Sequence, residues 1–259
     1  MTAAALVGGL RQAVASVDPL GIDEIPLEAE LQVRVDRKYV VEPAVVDDLV
    51  RAFGYRVRVL EVGGERCLGY RSVYFDTPER VLFRQAARGA PWRSKVRTRR
   101  YDIDGTCMLE IKARNRAGAT AKVRRPHPAD RLRGLDVDDL AFAAANLARP
   151  VALDAAAPIL ETAYHRCTFV DEDADTRFTV DAAVRCSSPD GASVGFPSHL
   201  IVESKTLGPP AAVDRWLWSR GVRPLSLSKF CIGLASLEDG LPANRWARAM
   251  RRYVAPSRD

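Results

Sequence analysis

Between Trp92 and Lys112 the chain reads WRSKVRTRRYDIDGTCMLEIK and changes character at every second residue. That is the period of a strand whose side chains alternate between two faces. Lys95, Arg97, Arg99 and Tyr101 fall on one face, with Val96 and Thr98 on the other. Asp104-Gly105 predicts a tight two-residue hairpin turn. The return strand then sets Glu110, Lys112 and Arg114 against Leu109 and Ile111. Alone, such a hairpin would be an ordinary solvated face.

The pattern recurs along the chain. LQVRVDRKYVV (31–41) sets Arg34, Asp36 and Lys38 against Val33, Val35 and Tyr39, and TAKVRR (120–125) places Lys122 and Arg124 together. AYHRCTFV puts Tyr164, Arg166 and Thr168 on one side, and TRFTVDAAV does the same for Arg177, Thr179 and Asp181. HLIVESK ends an apolar strand with Glu203 and Lys205, an arrangement that costs free energy if buried unpaired. YRSVYFDTPE (70–79) reads as a strand running into a turn, where Asp76 fits a turn cap and a functional acid equally well. Amphipathic helices are predicted from Pro43 to Gly54, from Asp136 to Leu147, from Pro209 to Gly221 and near the C-terminus around Trp246, Met250 and Tyr253.

Strands with one charged and one apolar face, separated by helices that need cover, predict an α+β fold. The economical form is a closed, eight-stranded antiparallel β-barrel with helices packed outside and charges inside, which reverses the usual filling of a small barrel. Residues 1–27 read as an N-terminal arm or short helix without function, and 28–255 as a single domain.

Composition narrows the chemistry. The 259 residues are 47% hydrophobic, enough for a sizeable core. A net charge of +6 favours an anionic partner. Five scattered cysteines without a C-x-x-C, and three histidines without ligand spacing, suggest neither a disulfide framework nor a zinc site, and a reducing cytoplasm is expected. No segment reads as a signal peptide or a membrane span. Cations converging with a few carboxylates suit a linear polyanion and a hard divalent metal, Mg²⁺ or Mn²⁺.

In their order, RVDRKY, SVYFDTP, KVRTRRY, LEIK, AKVR, RFTVD, IVESK and LSKF resemble the vacuolar transporter chaperone (VTC) catalytic domain of the triphosphate tunnel (CYTH-like) superfamily. The resemblance covers about residues 30–235. It implies a triphosphate-binding tunnel, a divalent metal and synthesis of inorganic polyphosphate from ATP. It implies phosphate binding by Lys38, Arg97, Arg99, Lys112, Lys122, Arg166, Ser228 and Lys229, to which the shared face adds Lys95, Arg124 and Lys205. Glu203 would hold the metal, with Asp36, Glu110 and Asp181 as helpers, and Lys229, Arg97, Arg99 and Glu203 would carry catalysis. Many tunnel enzymes open with E-x-E-x-K, where this chain has Arg34 and Asp36. That departure favours the VTC branch. Eukaryotic VTC proteins also carry membrane spans, so translocation by this chain would need a separate membrane protein partner.

Three activities fit these residues: a polyphosphate polymerase, a triphosphatase of the same fold, and a non-catalytic polyphosphate-binding module. A nucleic-acid module fits poorly. Aromatics make up 7% of the chain, and the cations alternate with Glu110, Asp181 and Glu203.

Overall fold

The structure is a computed structural model that describes residues 1–24, 35–116, 120–171 and 176–257. Arg34 lies outside them. The helices are α1 (Ala3–Val14), α2 (Pro43–Phe53), α3 (Val81–Ala87), α4 (Val137–Ala145), α5 (Ala212–Ser219), α6 (Lys229–Leu237) and α7 (Ala247–Tyr253). The strands are β1 (Pro19–Leu20), β2 (Val35–Val41), β3 (Arg58–Leu60), β4 (Leu68–Asp76), β5 (Arg93–Tyr101), β6 (Cys107–Arg114), β7 (Thr120–Pro126), β8 (Ala157–Asp171), β9 (Thr176–Ser187), β10 (Ser193–Gly195), β11 (Leu200–Thr206) and β12 (Ala255–Pro256).

These strands form one twelve-stranded sheet among the described residues. Its main path is antiparallel and runs β2-β11-β9-β8-β4-β5-β6-β7. The closed barrel expected from the sequence is not reached by backbone pairing: among the described residues no ladder joins β7 back to β2. The physical reason lies in β7, whose residues 121–124 are exposed, as befits an edge strand rich in charge. A side-chain contact spans the opening instead, with Lys112 Nζ on β6 3.7 Å from Asp36 Oδ2 on β2.

Alternation decides where the core sits. The apolar face of β8, β9, β11 and β2 buries Cys167, Phe169, Phe178, Val180, Val202 and Tyr39 under α1, α2 and α5. The apolar face of β4, β5 and β6 buries Val73, Phe75, Val96, Leu109 and Ile111 under α4 and its flanking loops. Each such fully buried side chain contributes about 1.5–3 kcal/mol.

Residues 3–14, expected as an arm or short helix, form α1. Thr2 caps it by accepting from Ala5 N, and Leu6, Val7, Leu10 and Val14 enter the core beside α2. The central hairpin closes through residues 102–106 and not through a two-residue turn. Tyr101 N donates to Thr106 O at 2.9 Å, and Gly105, at φ +70°, donates back to Tyr101 O. Two helices escaped the sequence reading. One is α3, whose first turn is held by Asp76: that carboxylate accepts from the backbone of Thr77, Leu82 and Phe83 at 2.8–2.9 Å. Asp76 is therefore a cap. The other is α6, which begins within LSKF.

Helix α6 does not lie outside the sheet. Phe230 stacks on Tyr74 at 4.7 Å, and a Cβ added at Gly233 would lie 2.6 Å from Cys186 Cβ and Sγ. The helix therefore covers the apolar end of the face that carries the charges, where Val40, Leu160, Val184 and Ile201 are buried.

Candidate phosphate-binding face

Residues directly opposite one another across an antiparallel ladder share a face. The register places Lys95 opposite Lys112 and Arg97 opposite Glu110, then Lys112 opposite Lys122 and Glu110 opposite Arg124. It sets Arg166 opposite Asp181, Glu203 opposite Lys38 and Thr179, and Lys205 opposite Asp36 and Arg177. Strand β4 joins the two halves through Tyr74 opposite Arg97, Ser72 opposite Arg99 and Tyr70 opposite Tyr164. Every strand residue singled out from sequence parity within the described chain thus lies on this face.

Ser228 and Lys229 reach it from α6. Lys95 Nζ donates to Ser228 Oγ at 2.9 Å, while the same oxygen caps α6 by accepting from Cys231 N. Lys229 Nζ donates to the carboxylate of Asp181. The enclosure is uneven. Arg99, Glu110, Asp181, Glu203 and Lys205 are buried, whereas Lys122 and Arg124 are exposed and Lys112 keeps 45% of its side chain open. A single enclosed cavity holding all of them, as parity suggested, is thus not formed on the β7 side.

Two carboxylates are tied tightly. Glu110 Oε2 accepts from Arg97 Nε and Nη2 at 2.8 and 2.5 Å, and Asp181 accepts from Arg166 Nε and Nη2 at 2.5 and 2.8 Å. Arg97 also donates to Tyr74 Oη, and Arg99 donates to Ser72 Oγ and Tyr164 Oη, each at 3.0 Å. Glu203 is held more loosely: Lys38 and Lys205 lie 3.5 Å from Oε1, and Arg166 lies 3.9 Å from Oε2.

Sequence reasoning passed over the aromatic floor. Tyr70 stacks on Tyr164 at 5.5 Å, with the Arg99 and Arg166 guanidiniums 5.4 and 5.6 Å from the Tyr70 ring and Lys229 Nζ 4.7 Å from the Tyr164 ring. Ring faces attract cations and fix where they sit. The signal was present in YRSVY, whose odd-even alternation puts Tyr70, Ser72 and Tyr74 on one side.

Burial and charge pull the ionisable groups in opposite directions. Burial pushes Glu110 up, but Arg97, Arg99 and Lys122 overcome it and hold the acid at about 2. Asp181 follows the same logic, with Arg166 and Lys229 bringing it to about 2. Glu203 is held well below the ordinary carboxylate range by Lys205, Lys38 and Arg166, against its burial. Burial wins at Lys205, lowering the ammonium to about 7 despite Glu203, and its Nζ has no hydrogen-bond partner. Lys112 is also lowered, by the part of its side chain that the sheet covers, with Asp36 and Glu203 opposing. At neutral pH the face therefore holds ionised acids beside one buried lysine, Lys205, close to titration.

The four carboxylates expected around a metal do not form one ligand set. Among the described residues no three acidic, His or Cys side chains gather as a metal cage. Glu110 and Asp181 are committed to arginines. Glu203, with contacts of 3.5–3.9 Å, has oxygens that can turn toward a cation arriving with phosphate. Mg²⁺ is commonly held in that way, by one or two carboxylates plus substrate phosphates.

A family model, the VTC domain, matches residues 33–238. The chain belongs to the VTC domain family. The matched segment takes in every candidate residue from Asp36 to Lys229. A search of curated proteins returned no match. Among solved structures, HpAC1 from Hippeastrum, an adenylyl cyclase candidate described as revealing a dominant triphosphatase activity, aligns at 14% identity and a TM-score of 0.50. That alignment covers 80% of this chain and 97% of HpAC1. An adenylate cyclase candidate from Vibrio parahaemolyticus aligns at 13% identity and a TM-score of 0.46, covering 76% and 95% of the two chains. The likeness to HpAC1 extends to the fold. Among the described residues of this VTC domain no helix is long and apolar enough to cross a membrane.

Proposed function

We propose that this VTC domain is an ATP-polyphosphate phosphotransferase that moves the γ-phosphoryl group of ATP onto an inorganic polyphosphate chain. The observation that carries the reading is one sheet face on which Lys38, Lys95, Arg97, Arg99, Lys112, Arg166, Lys205 and Lys229 outnumber their carboxylates. A net cation surplus along a strand axis is complementary to a linear polyanion.

The acceptor in this reaction is an already ionised phosphate oxygen, so no Ser, Cys or His nucleophile is needed. Rate enhancement comes from positioning and from charge neutralisation. Arg97 and Arg99 are fixed before substrate arrives, by Glu110 and Tyr74 and by Ser72 and Tyr164, so their guanidiniums need little reordering to meet phosphate oxygens. Lys229 is aimed by Asp181 from the first turn of α6 and supplies a positive charge opposite Arg166. A divalent ion brought in with the triphosphate would take Glu203 as its protein ligand and neutralise phosphate charge.

Incubating the protein with ATP and Mn²⁺ or Mg²⁺ and separating the products on a gel tests this. Polyphosphate ladders are expected, weakened roughly ten- to a hundredfold in Arg97→Ala and Lys229→Ala. Release of orthophosphate alone would replace the polymerase with a triphosphatase.

A further inference from the structure

The charged face does not stop at Lys95. Arg93 precedes it by two residues on β5 and so shares its face, directly opposite Arg114 on β6. Arg245, before α7, comes close to Arg93, and its charge together with that of Arg114 and burial lowers the Arg93 guanidinium. In the buried cluster further along the face each arginine has a carboxylate. Here Arg93 donates to Ala90 O at 2.8 Å and Arg245 to Ala86 O at 3.3 Å, both at the C-terminal end of α3. Those neutral carbonyls take one donor from each fork and leave the repulsion standing. Two further exposed arginines, Arg116 and Arg149, lie 5.6 and 5.2 Å from the Trp92 ring beside this end of β5.

Like-charged guanidiniums held together, with no acid paired to them among the described residues, raise the free energy of the empty state and lower it when an anion enters between them. We propose that Arg93, Arg114 and Arg245 form a second anion subsite, which binds phosphates of a polyphosphate chain beyond those gripped by Lys95, Arg97 and Arg99. The inference rests on the phosphate-chain reading above and adds a direction to it. The chain runs along β5 from Arg99 past Lys95 to Arg93, about 20 Å at the rise of an extended strand. That is longer than a triphosphate.

Length dependence of binding is the test. Affinities for inorganic triphosphate and for a long polyphosphate chain are measured by calorimetry at several salt concentrations. The proteins are wild type, Arg245→Gln, and the triple variant Arg93→Gln/Arg114→Gln/Arg245→Gln, each checked for an unchanged circular-dichroism spectrum. The triple variant is expected to keep triphosphate affinity within about twofold. For the long chain it should lose roughly tenfold or more, with a salt dependence shallower by about two. Arg245→Gln, which gives up a single bond to a carbonyl, should show a smaller loss of the same kind. Equal losses for both ligands, or no loss for the long chain, would overturn the subsite. Wild-type protein that binds the long chain but not triphosphate, with the triple variant losing the chain, would uphold the arginine subsite and refute the triphosphate grip at Lys95 to Arg99.

Discussion

Asp181 on β9 and Lys229 at the start of α6 form an ion pair, and the same carboxylate is gripped by both ends of the Arg166 fork at 2.5 and 2.8 Å. One buried acid therefore holds two cations and ties the inner helix to the sheet. Asp181→Asn keeps the shape and leaves those cations uncompensated. We expect a loss of about 3–5 kcal/mol in urea unfolding, much of it restored by inorganic triphosphate, which would replace the missing charge. Destabilisation that triphosphate does not relieve would separate this acid from the anion site.

Gly233 marks how closely α6 approaches the sheet. Gly233→Ala places a methyl 2.6 Å from Cys186 Cβ and Sγ, and the Cβ is fixed by its own strand backbone. The helix must shift, at a cost of about 1–3 kcal/mol, and Lys229 shifts with it. Thermal melts should show the loss, and phosphate transfer should fall further than in a surface Gly→Ala control such as Gly8→Ala, where nothing lies within 4 Å.

Glu110 and Asp181 are both held at about 2, below ordinary carboxylate values of 4.5 and 3.8. A carboxylate lowered in the folded state stabilises above its unfolded value, and that stability is lost as pH falls toward the folded one. Each contributes about 2–3 kcal/mol at neutral pH. These two acids should therefore leave stability flat between about pH 5 and 6.5 and make it fall steeply between about pH 4.5 and 2. In Glu110→Gln the fall should be shallower and the neutral-pH stability lower. An unchanged acid limb in that variant would contradict the pairing with Arg97.

Burial brings Lys205 down to about 7, where it faces Glu203, Arg166, Asp36 and Arg177. Because burial lowers it, the free protein loses this proton as pH rises through 7, and a bound polyanion draws it back. Triphosphate binding should take up protons between about pH 7 and 8, visible as a calorimetric enthalpy that changes with buffer ionisation heat. Affinity should decline as pH rises across that window. Lys205→Met should remove most of the uptake, and uptake that persists in full would assign it elsewhere.

Parity was enough to read which side chains share this face, because a strand with a charged face repeats every two residues and a ladder preserves sides. The chain showed Arg97, Glu110, Arg166, Asp181 and Glu203 as one set for that reason. It hid which acids are committed, since whether Asp181 meets Lys229 depends on α6 turning inward, and LSKF carries no periodic signal of its own. The expected barrel closure failed on β7, where exposed charges on an edge look the same in sequence as charges facing a lumen. Tyr70, Ser72 and Tyr74 share one parity in YRSVY, but a strand of uncharged residues carries no sign of which face meets the cations. The arginines at 93, 114 and 245 become a cluster only in three dimensions.

The central claim is that this face binds a triphosphate unit, and titration calorimetry with inorganic triphosphate near pH 6.5 tests it most directly. The comparison is between wild type, Arg97→Gln and the control Arg133→Gln, whose guanidinium pairs with Glu161 away from the candidate residues. Arg97→Gln should weaken binding by roughly ten- to a hundredfold while Arg133→Gln leaves it within about twofold. Wild-type binding that survives Arg97→Gln undiminished, or that falls equally in the Arg133→Gln control, would contradict the account.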